Sequence, residues 1–336
     1  MPVSTSGMSP IRRRKILCTG ILVADIFVPP MQNMPSAGEL LATADFLLES
    51  GGCAANVSVG LKRLEVDAEI GVQGVVGSDV FGRFLIEKLQ ANEIETSHIR
   101  STTDYGTSKT VILPVIDQDR RFIHTFGANN AFQESDIDLT GLLAGDVLYI
   151  GGLLILPSFS SEGAARICEE ARSRGIITVL DVVVPAIAAD PQTLMAFLAP
   201  ILPHTDVFMP NDDEARVLTG EGDIERQADT FLSAGAGTAV ITCGAHRTLV
   251  KAGSESLLAS TYAIDFVDGS GSGDAFAAGY ITGLVEGWDL EKTLRFASAA
   301  GASACTQLGC TRGVFSRTEA EEFIRVNSLH ISSRKG

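Results

Sequence analysis

Short apolar runs alternate with segments of helical periodicity along most of this chain of 336 residues. The runs have the length of buried strands, and the segments between them are long enough to cross back over a sheet. This order predicts an α/β fold with a mainly parallel central sheet and helices on both faces. The predicted strands are 15–20, 69–75, 147–151, 177–181, 207–209 and 239–242. The predicted helices are 54–64, 81–91, 162–173, 212–219, 226–234, 274–286 and 290–306.

Two stretches interrupt this rhythm because they alternate in a strand-like way. We interpret them as a small β-stranded lid at one edge of the main domain, with strands from about 36–50 and 104–127. The second stretch predicts a hairpin that turns at 117–120. We expect one domain at 12–330, with 1–11 and 331–336 as disordered tails.

Charge and cysteine usage restrict the partners and the compartment. The net charge is −15, which disfavours nucleic acid and anionic membranes as partners. A basic run at 12–15 precedes apolar residues, but Asp25 interrupts them and no cleavage site of an export signal follows. The six cysteines are scattered without a Cys-x-x-Cys pair, which favours reduced thiols and a cytoplasmic location.

The segment 267–279 carries the strongest chemical signal. Three glycines lie within five residues, and a helix is predicted to begin near Asp274. A helix N-terminus presents unpaired N–H groups and the positive end of the helix dipole, so the loop is predicted to bind a phosphoryl group. The spacing leaves two roles open for Asp274, a working carboxylate beside the anion or a first-turn capping acid.

The run Asp-Gly-Ser-Gly-Ser-Gly-Asp-Ala-Phe-Ala-Ala-Gly at 268–279 resembles the second signature of the PfkB, or ribokinase-like, carbohydrate kinases. Gly-Gly-Cys-Ala-Ala-Asn at 51–56 is similar to their first signature, and 74–82 is similar to their Gly-x-x-Gly-x-Asp-x-x-Gly turn. The spacing of Asp206, Asn211 and Glu214 and the Thr-Cys-Gly turn at 242–244 also match. The resemblance extends from about 16 to 316. It implies a ribokinase-like fold and ATP-dependent kinase activity.

The resemblance implies that Asp274 is the catalytic base that takes the proton from the acceptor hydroxyl. Gly271, Ser272 and Gly273 would form an anion hole with their backbone N–H groups. Phosphoryl transfer needs positioning more than covalent chemistry, and this arrangement would supply it. The implied acceptor-binding residues are Asp25, Gly51, Gly52 and Asn56.

The nucleotide side follows from the same resemblance. Glu214 would hold Mg²⁺ through water. The implied ATP-binding residues are Asn211, Thr242, Gly244 and Ser298. Because Asn211 and Glu214 lie three residues apart at a predicted helix start, the same pair equally predicts a helix cap.

Some relatives bind a monovalent cation such as K⁺ through backbone oxygens near the anion hole. The matching positions here are Asp268, Ser270, Gln307 and Gly309. The chain departs from the family pattern at Val183 and Ser298, where Asn is common.

The expected reaction is the ATP-dependent phosphorylation of a hydroxyl or hydroxymethyl group on an unphosphorylated sugar. Relatives that accept sugar phosphates tend to carry Lys where this chain has Cys53. One alternative is a nucleoside kinase on the same fold, and another is a catalytically silent ligand-binding homologue. The expected partners are ATP and a sugar or nucleoside, with no nucleic acid and no membrane, and a homodimer through the lid is a further option.

Overall fold

The structure, a computed structural model, describes residues 12–116, 118, 121–184 and 190–335. The strands are β1 (Arg14–Gly20), β2 (Val23–Phe27), β3 (Leu47–Gly51), β4 (Ala68–Gly77), β5 (Ile99–Thr102), β6 (Lys109–Leu113), β7 (Arg121–Thr125), β8 (Val147–Gly151), β9 (Ile177–Leu180), β10 (Val207–Phe208), β11 (Thr238–Cys243), β12 (Arg247–Ala252), β13 (Glu255–Ala259) and β14 (Ile331–Lys335). The helices are α1 (Cys53–Arg63), α2 (Val80–Ala91), α3 (Ser161–Ser173), α4 (Pro191–Leu198), α5 (Asp212–Thr219), α6 (Ile224–Ser233), α7 (Ser272–Glu286), α8 (Leu290–Ala304) and α9 (Arg317–Val326).

The main sheet has ten strands in the order β14-β13-β12-β11-β10-β9-β8-β1-β4-β5. The strands from β11 to β5 in this order run parallel, as predicted. The other edge is antiparallel, because β12 and β13 form a hairpin onto β11 and β14 pairs with β13. The assignment of 331–336 to a disordered tail is therefore wrong for Ile331–Lys335, whose backbone is ordered by pairing with β13. Residues 1–11 and Gly336 lie outside the described part.

The second sheet is the lid, with four strands in the order β3-β2-β6-β7. Strand β2 was not predicted, and it lies at the centre of the lid between β3 and β6. Residues 36–46 and 104–108, which the predicted lid strands included, are not in strands. At the predicted turn of the hairpin, Asp117, Asp119 and Arg120 lie outside the described residues.

Helix α7 packs closely between α1 and α8 because small residues line both contacts. A Cβ on Gly279 would lie 2.7 Å from the Cα of Ala297 in α8, and a Cβ on Gly60 of α1 would lie 2.9 Å from the Cβ of Ala278. This close approach brings the N-terminus of α7 beside that of α1. Among the described residues, no helix is both long and apolar enough to span a bilayer.

Candidate active site

Asp274 lies in the first turn of α7, where side chains from distant parts of the chain meet it. The amide Nδ2 of Asn56 donates a hydrogen bond of 2.8 Å to Asp274 Oδ2. The Sγ of Cys53 and carboxylate oxygens of Asp181 and Asp274 all lie within 4.8 Å of one another. The first turns of α1 and α7 thus meet the residue that directly follows β9.

The loop before α7 is the segment predicted to form the anion hole. Gly271 has a φ of +74°, and a Cβ there would lie 2.2 Å from the carbonyl oxygen of Cys310, so this position requires glycine. A Cβ on Gly273 would meet no atom within 4 Å, so the loop is open on that side. The first-turn N–H groups of Gly273 and Asp274 have no acceptor within the helix by geometry, whereas the Ser272 N–H donates a long hydrogen bond of 3.4 Å to the Gly269 carbonyl. They offer donors to an anion at this opening.

Asp25 lies on the lid strand β2, and its side chain is enclosed by neighbouring elements. The residue is only 7% exposed. The Cys310 thiol donates to its Oδ2 at 3.5 Å. A Cβ on Gly51 would lie 1.9 Å from the same oxygen, so only glycine at position 51 leaves room for the Asp25 carboxylate. Gly52 precedes α1 with a φ of +85°, and a Cβ there would lie 2.5 Å from the Ile21 carbonyl oxygen.

Burial raises the pKa of the carboxyl groups in this region. It raises the pKa of Asp25 to about 6, against hydrogen bonds from Thr110 and Cys310 that lower it. The pKa of Asp274 is also raised by burial, although hydrogen bonds from Asn56 and Cys53 lower it in part. The negative charge of Asp274 contributes to the raised pKa of Asp25.

Asp181 belongs to the same group of carboxyls. Burial, followed by the charges of Glu214 and Asp274, raises its pKa well above the ordinary value. The hydroxyl of Tyr149, which is fully buried, donates to Asp181 Oδ2 at 2.9 Å. Carboxyl groups that lie this close together and repel one another favour the uptake of protons or cations.

Asn211 and Glu214 form a reciprocal capping box at the start of α5. The backbone N–H of each residue donates to the other's side chain at 2.9 Å. The capping role that the spacing predicted is therefore present in the structure. Burial raises the pKa of Glu214 to about 7, although N–H donors from Asn211 and Val184 lower it.

The predicted ATP-binding residues occupy two places in the fold. Asn211 forms a parallel β-bridge with Thr242, so the start of α5 lies beside the end of β11. Gly244 follows with a φ of +51°, and a Cβ there would meet nothing within 4 Å. Ser298 lies on α8, and its Oγ is buried without a hydrogen-bond partner in the described part of the chain.

The predicted monovalent-cation positions lie on two adjoining loops. Ser270 Oγ donates to Asp268 Oδ1 at 3.2 Å, and the Asp268 N–H donates to the Cys305 carbonyl. Asp268 and Gly309 are buried, whereas Gln307 is exposed. A buried carboxylate beside loop carbonyls fits a hard cation, whose preferred ligands are oxygens.

Some of the residues that meet here were not singled out from the sequence. Tyr149 and Cys310 looked like core residues, and Cys53 was interpreted only as a position that lacks a cation. One signal was available for Asp181, a polar residue that follows a buried strand of a parallel sheet.

Comparisons with known proteins agree with the fold. The model of the pfkB family carbohydrate kinases matches residues 13–316. The ribokinase of Bacillus subtilis (strain 168) is 28% identical over 315 residues, which cover 93% of this chain and 99% of that protein. The ATP-dependent 6-phosphofructokinase of Thermoanaerobacterium thermosaccharolyticum is 26% identical over 261 residues, which cover 77% of this chain and 80% of that protein.

Among solved structures, a putative ribokinase II from E. coli in complex with ATP and Mg²⁺ has a TM-score of 0.78 at 21% identity. The alignment covers 94% of this chain and 99% of that one. At this identity the likeness shows the ribokinase-like fold. The family match over most of the chain shows membership. The chain belongs to the pfkB family of carbohydrate kinases, phosphotransferases with an alcohol group as the acceptor.

Proposed function

We propose that this kinase uses ATP to phosphorylate a hydroxyl or hydroxymethyl group of an unphosphorylated sugar, with Asp274 as the catalytic base. One observation carries the proposal. The Asp274 carboxylate is held by the Asn56 amide at 2.8 Å, in the same helical turn that offers N–H donors to an anion. With a base and an anion hole on one turn of one helix, the base can act on the acceptor hydroxyl while the N–H donors stabilise the phosphoryl group.

In the proposed mechanism, Asp274 accepts the proton of the acceptor hydroxyl as that oxygen attacks the γ-phosphorus. The N–H groups of Gly271, Ser272 and Gly273 stabilise the charge on the migrating phosphoryl group. Asp25, beside Gly51 and Gly52, accepts hydrogen bonds from the other hydroxyls of the sugar. A carboxylate can accept from two neighbouring hydroxyls at once.

On the nucleotide side, Asn211, Thr242, Gly244 and Ser298 would bind ATP. The unpartnered Ser298 Oγ supports its assignment, because a ligand could supply the missing hydrogen bond. Glu214 would hold Mg²⁺ through water, and the surrounding carboxyls fit such a hard cation. Mg²⁺ held there would neutralise charge on the phosphate oxygens. Asp268, Ser270, Gln307 and Gly309 would hold K⁺ near the anion hole.

The cations of helix α1 support an unphosphorylated acceptor, because each is engaged elsewhere. Lys62 pairs with Glu93, and Arg63 donates to the Val314 carbonyl. On the lid, Lys109 donates to the Thr107 carbonyl at 2.8 Å and lies over the Phe81 ring. Asp25 would also repel a phosphate while binding paired hydroxyls well.

Two further parts of the proposal concern assembly and location. We propose a homodimer through the lid, because β7 is exposed along its length and presents Phe122 and Ile123 at 55% and 64% exposure. We also propose a cytoplasmic location, because all six cysteines are free thiols.

The test is ATP consumption with a panel of free sugars, sugar monophosphates and nucleosides, with the Asp274→Asn variant as the blank. We expect a free sugar to give the highest kcat/KM, and the variant to show little turnover. A nucleoside at the top of the panel would support the nucleoside kinase alternative. If no acceptor raises the rate of ATP consumption above that of the blank, the result would support the catalytically silent homologue.

A further inference from the structure

A thiol and two carboxylates converge in the active site. The ligand atoms of Cys53, Asp181 and Asp274 lie within 4.8 Å of one another. Cys53 is 8% exposed, whereas the two aspartates are partly open to solvent. We refer to these three residues as the thiol–carboxylate cluster. One sulfur and two oxygens are a donor set that Zn²⁺ accepts and Mg²⁺ does not.

Neighbouring polar groups donate hydrogen bonds to the two carboxylates of the cluster and orient them. The buried Tyr149 hydroxyl donates to Asp181 Oδ2 at 2.9 Å. The Asn56 amide donates to Asp274 Oδ2, which orients the second carboxylate. Metal ligands in proteins are usually oriented by hydrogen bonds of this kind.

A second observation points independently to a ligand. Asn56 is only 3% exposed, and its Oδ1 has no hydrogen-bond partner in the part of the chain that the structure describes. Because the other end of this amide contacts Asp274, Oδ1 lies at the edge of the cluster. A water molecule carried by a bound metal could donate to this oxygen.

We propose that the thiol–carboxylate cluster is a binding site for a thiophilic divalent metal of the Zn²⁺ class, separate from the Mg²⁺ position at Glu214. Cys53, Asp181 and Asp274 provide three ligands, and the fourth position of a tetrahedral ion stays open for water. On binding, the S–H bond of Cys53 breaks, its proton passes to solvent, and the sulfur keeps the electron pair that binds the metal.

The consequence is inhibition of the kinase. A metal on Asp274 occupies the lone pair that would otherwise accept the proton of the acceptor hydroxyl. The ion would therefore stop turnover while leaving the fold intact. This inhibition rests on the proposed role of Asp274 as the base, whereas the binding of the metal does not.

Cobalt(II) serves as the spectroscopic probe, because it replaces Zn²⁺ and gives a thiolate-to-metal charge-transfer band only when a cysteine is bound. The metal-free protein is titrated with Co²⁺ in the absence of ATP. We expect the band to saturate near one equivalent, to disappear on addition of Zn²⁺ and to be missing in Cys53→Ser. The matched control is Cys305→Ser, which removes the most exposed of the six thiols and should retain the band.

A second variant tests the carboxylate ligand. Asp181→Asn should retain the band but weaken Co²⁺ binding at least about tenfold, or about 1.4 kcal/mol. Circular dichroism of each variant verifies the fold. A wild-type protein without the band, or a band that persists in folded Cys53→Ser, would overturn the proposal.

Activity separates this proposal from the proposed function. At buffered free Zn²⁺ with excess MgATP, we expect turnover to fall in proportion to occupancy of the site. If the Co²⁺ band requires Cys53 but an occupied site leaves turnover unchanged, the metal site stands and the role of Asp274 as the base is wrong.

Discussion

The side-chain amide of Asn56 donates a hydrogen bond of 2.8 Å to the carboxylate of Asp274, across 218 residues of sequence. The bond joins the first turns of α1 and α7. It orients the carboxylate proposed as the base, and it lowers the pKa of that group against the stronger effect of burial. The position and the acidity of Asp274 therefore both depend on a residue from the other signature segment.

Asp274→Asn should lower kcat by about 10²–10⁴-fold at saturating ATP, because it removes the general base. The fold should persist, since Asn is of similar size and burial already disfavours the charged carboxylate. The control is Asp289→Asn, because Asp289 is the N-cap of α8 and Asn caps equally well. A loss of kcat under about fivefold with an unchanged circular dichroism spectrum would contradict the assignment.

Asn56→Ala should shift the acidic limb of the kcat/KM profile to higher pH. The Asn56 hydrogen bond lowers the pKa of Asp274, so its removal raises that pKa, and a larger share of the base is protonated near neutrality. The measurement is kcat/KM against pH for wild type and variant. A uniform loss of rate, with the limb at the same pH, would show that Asn56 acts on Asp274 only by positioning or by binding the acceptor.

Two substitutions at Glu214 separate its cap from its proposed metal role. Glu214→Gln keeps an oxygen that can accept from the Asn211 N–H, so the melting temperature should hold, while half-maximal rate should require more Mg²⁺. Glu214→Ala should lower the melting temperature as well, since the capping box is lost. If wild type and Glu214→Gln need the same Mg²⁺ concentration for half-maximal rate, Glu214 caps the helix and does not bind Mg²⁺.

Asp25→Asn should gain stability relative to wild type as the pH rises. The pKa of Asp25 in the folded protein is about 6, above its ordinary value of 3.8. The folded wild type therefore binds more protons than the unfolded chain between these values, and its free energy of unfolding falls as the pH increases. The amide does not titrate, so the difference should grow by on the order of 3 kcal/mol from pH 4 to pH 7. Denaturant unfolding at several pH values measures it, and a constant difference would refute the raised pKa.

The acceptor should be a free sugar and not a sugar phosphate. Relatives that accept sugar phosphates tend to carry Lys at the position of Cys53, and the buried Asp25 adds a carboxylate that would repel a phosphate. The measurement is kcat/KM for each free sugar against its monophosphate. Preference for a monophosphate by more than about tenfold, or about 1.4 kcal/mol of transition-state free energy, would show that this interpretation is wrong. Arg312, which is exposed and packs its stem near Gly309, would then be the first cation to replace.

The elements of the main sheet could be predicted because their signals are local. The helix predicted at 54–64 is α1 at Cys53–Arg63, and the strand predicted at 147–151 is β8. Their apolar periodicity and the strand–helix alternation act within a few residues, so neither depends on distant partners.

Strand β2 could not be predicted, because nothing local marks the point where the chain leaves one sheet for another. After β1, Gly20 takes a φ of +127°, and a Cβ there would lie 2.1 Å from the Gly151 carbonyl oxygen. The chain turns at this contact and enters the lid, although the sequence reads as one apolar run from Ile16 to Ala24. The antiparallel edge of β12–β14 was missed for the same reason, since pairing partners decide it.

By itself, the sequence determined the fold class, the family, and the glycine-rich turn with its adjoining Asp274. These depend on residue types in fixed local spacing. Only the tertiary structure decided that Cys53 and Asp181 meet Asp274 and that Asp25 is enclosed by Gly51 and Cys310. The physical reason is that burial and the proximity of charges set the pKa of these groups, and both arise from the packing of segments far apart in the chain.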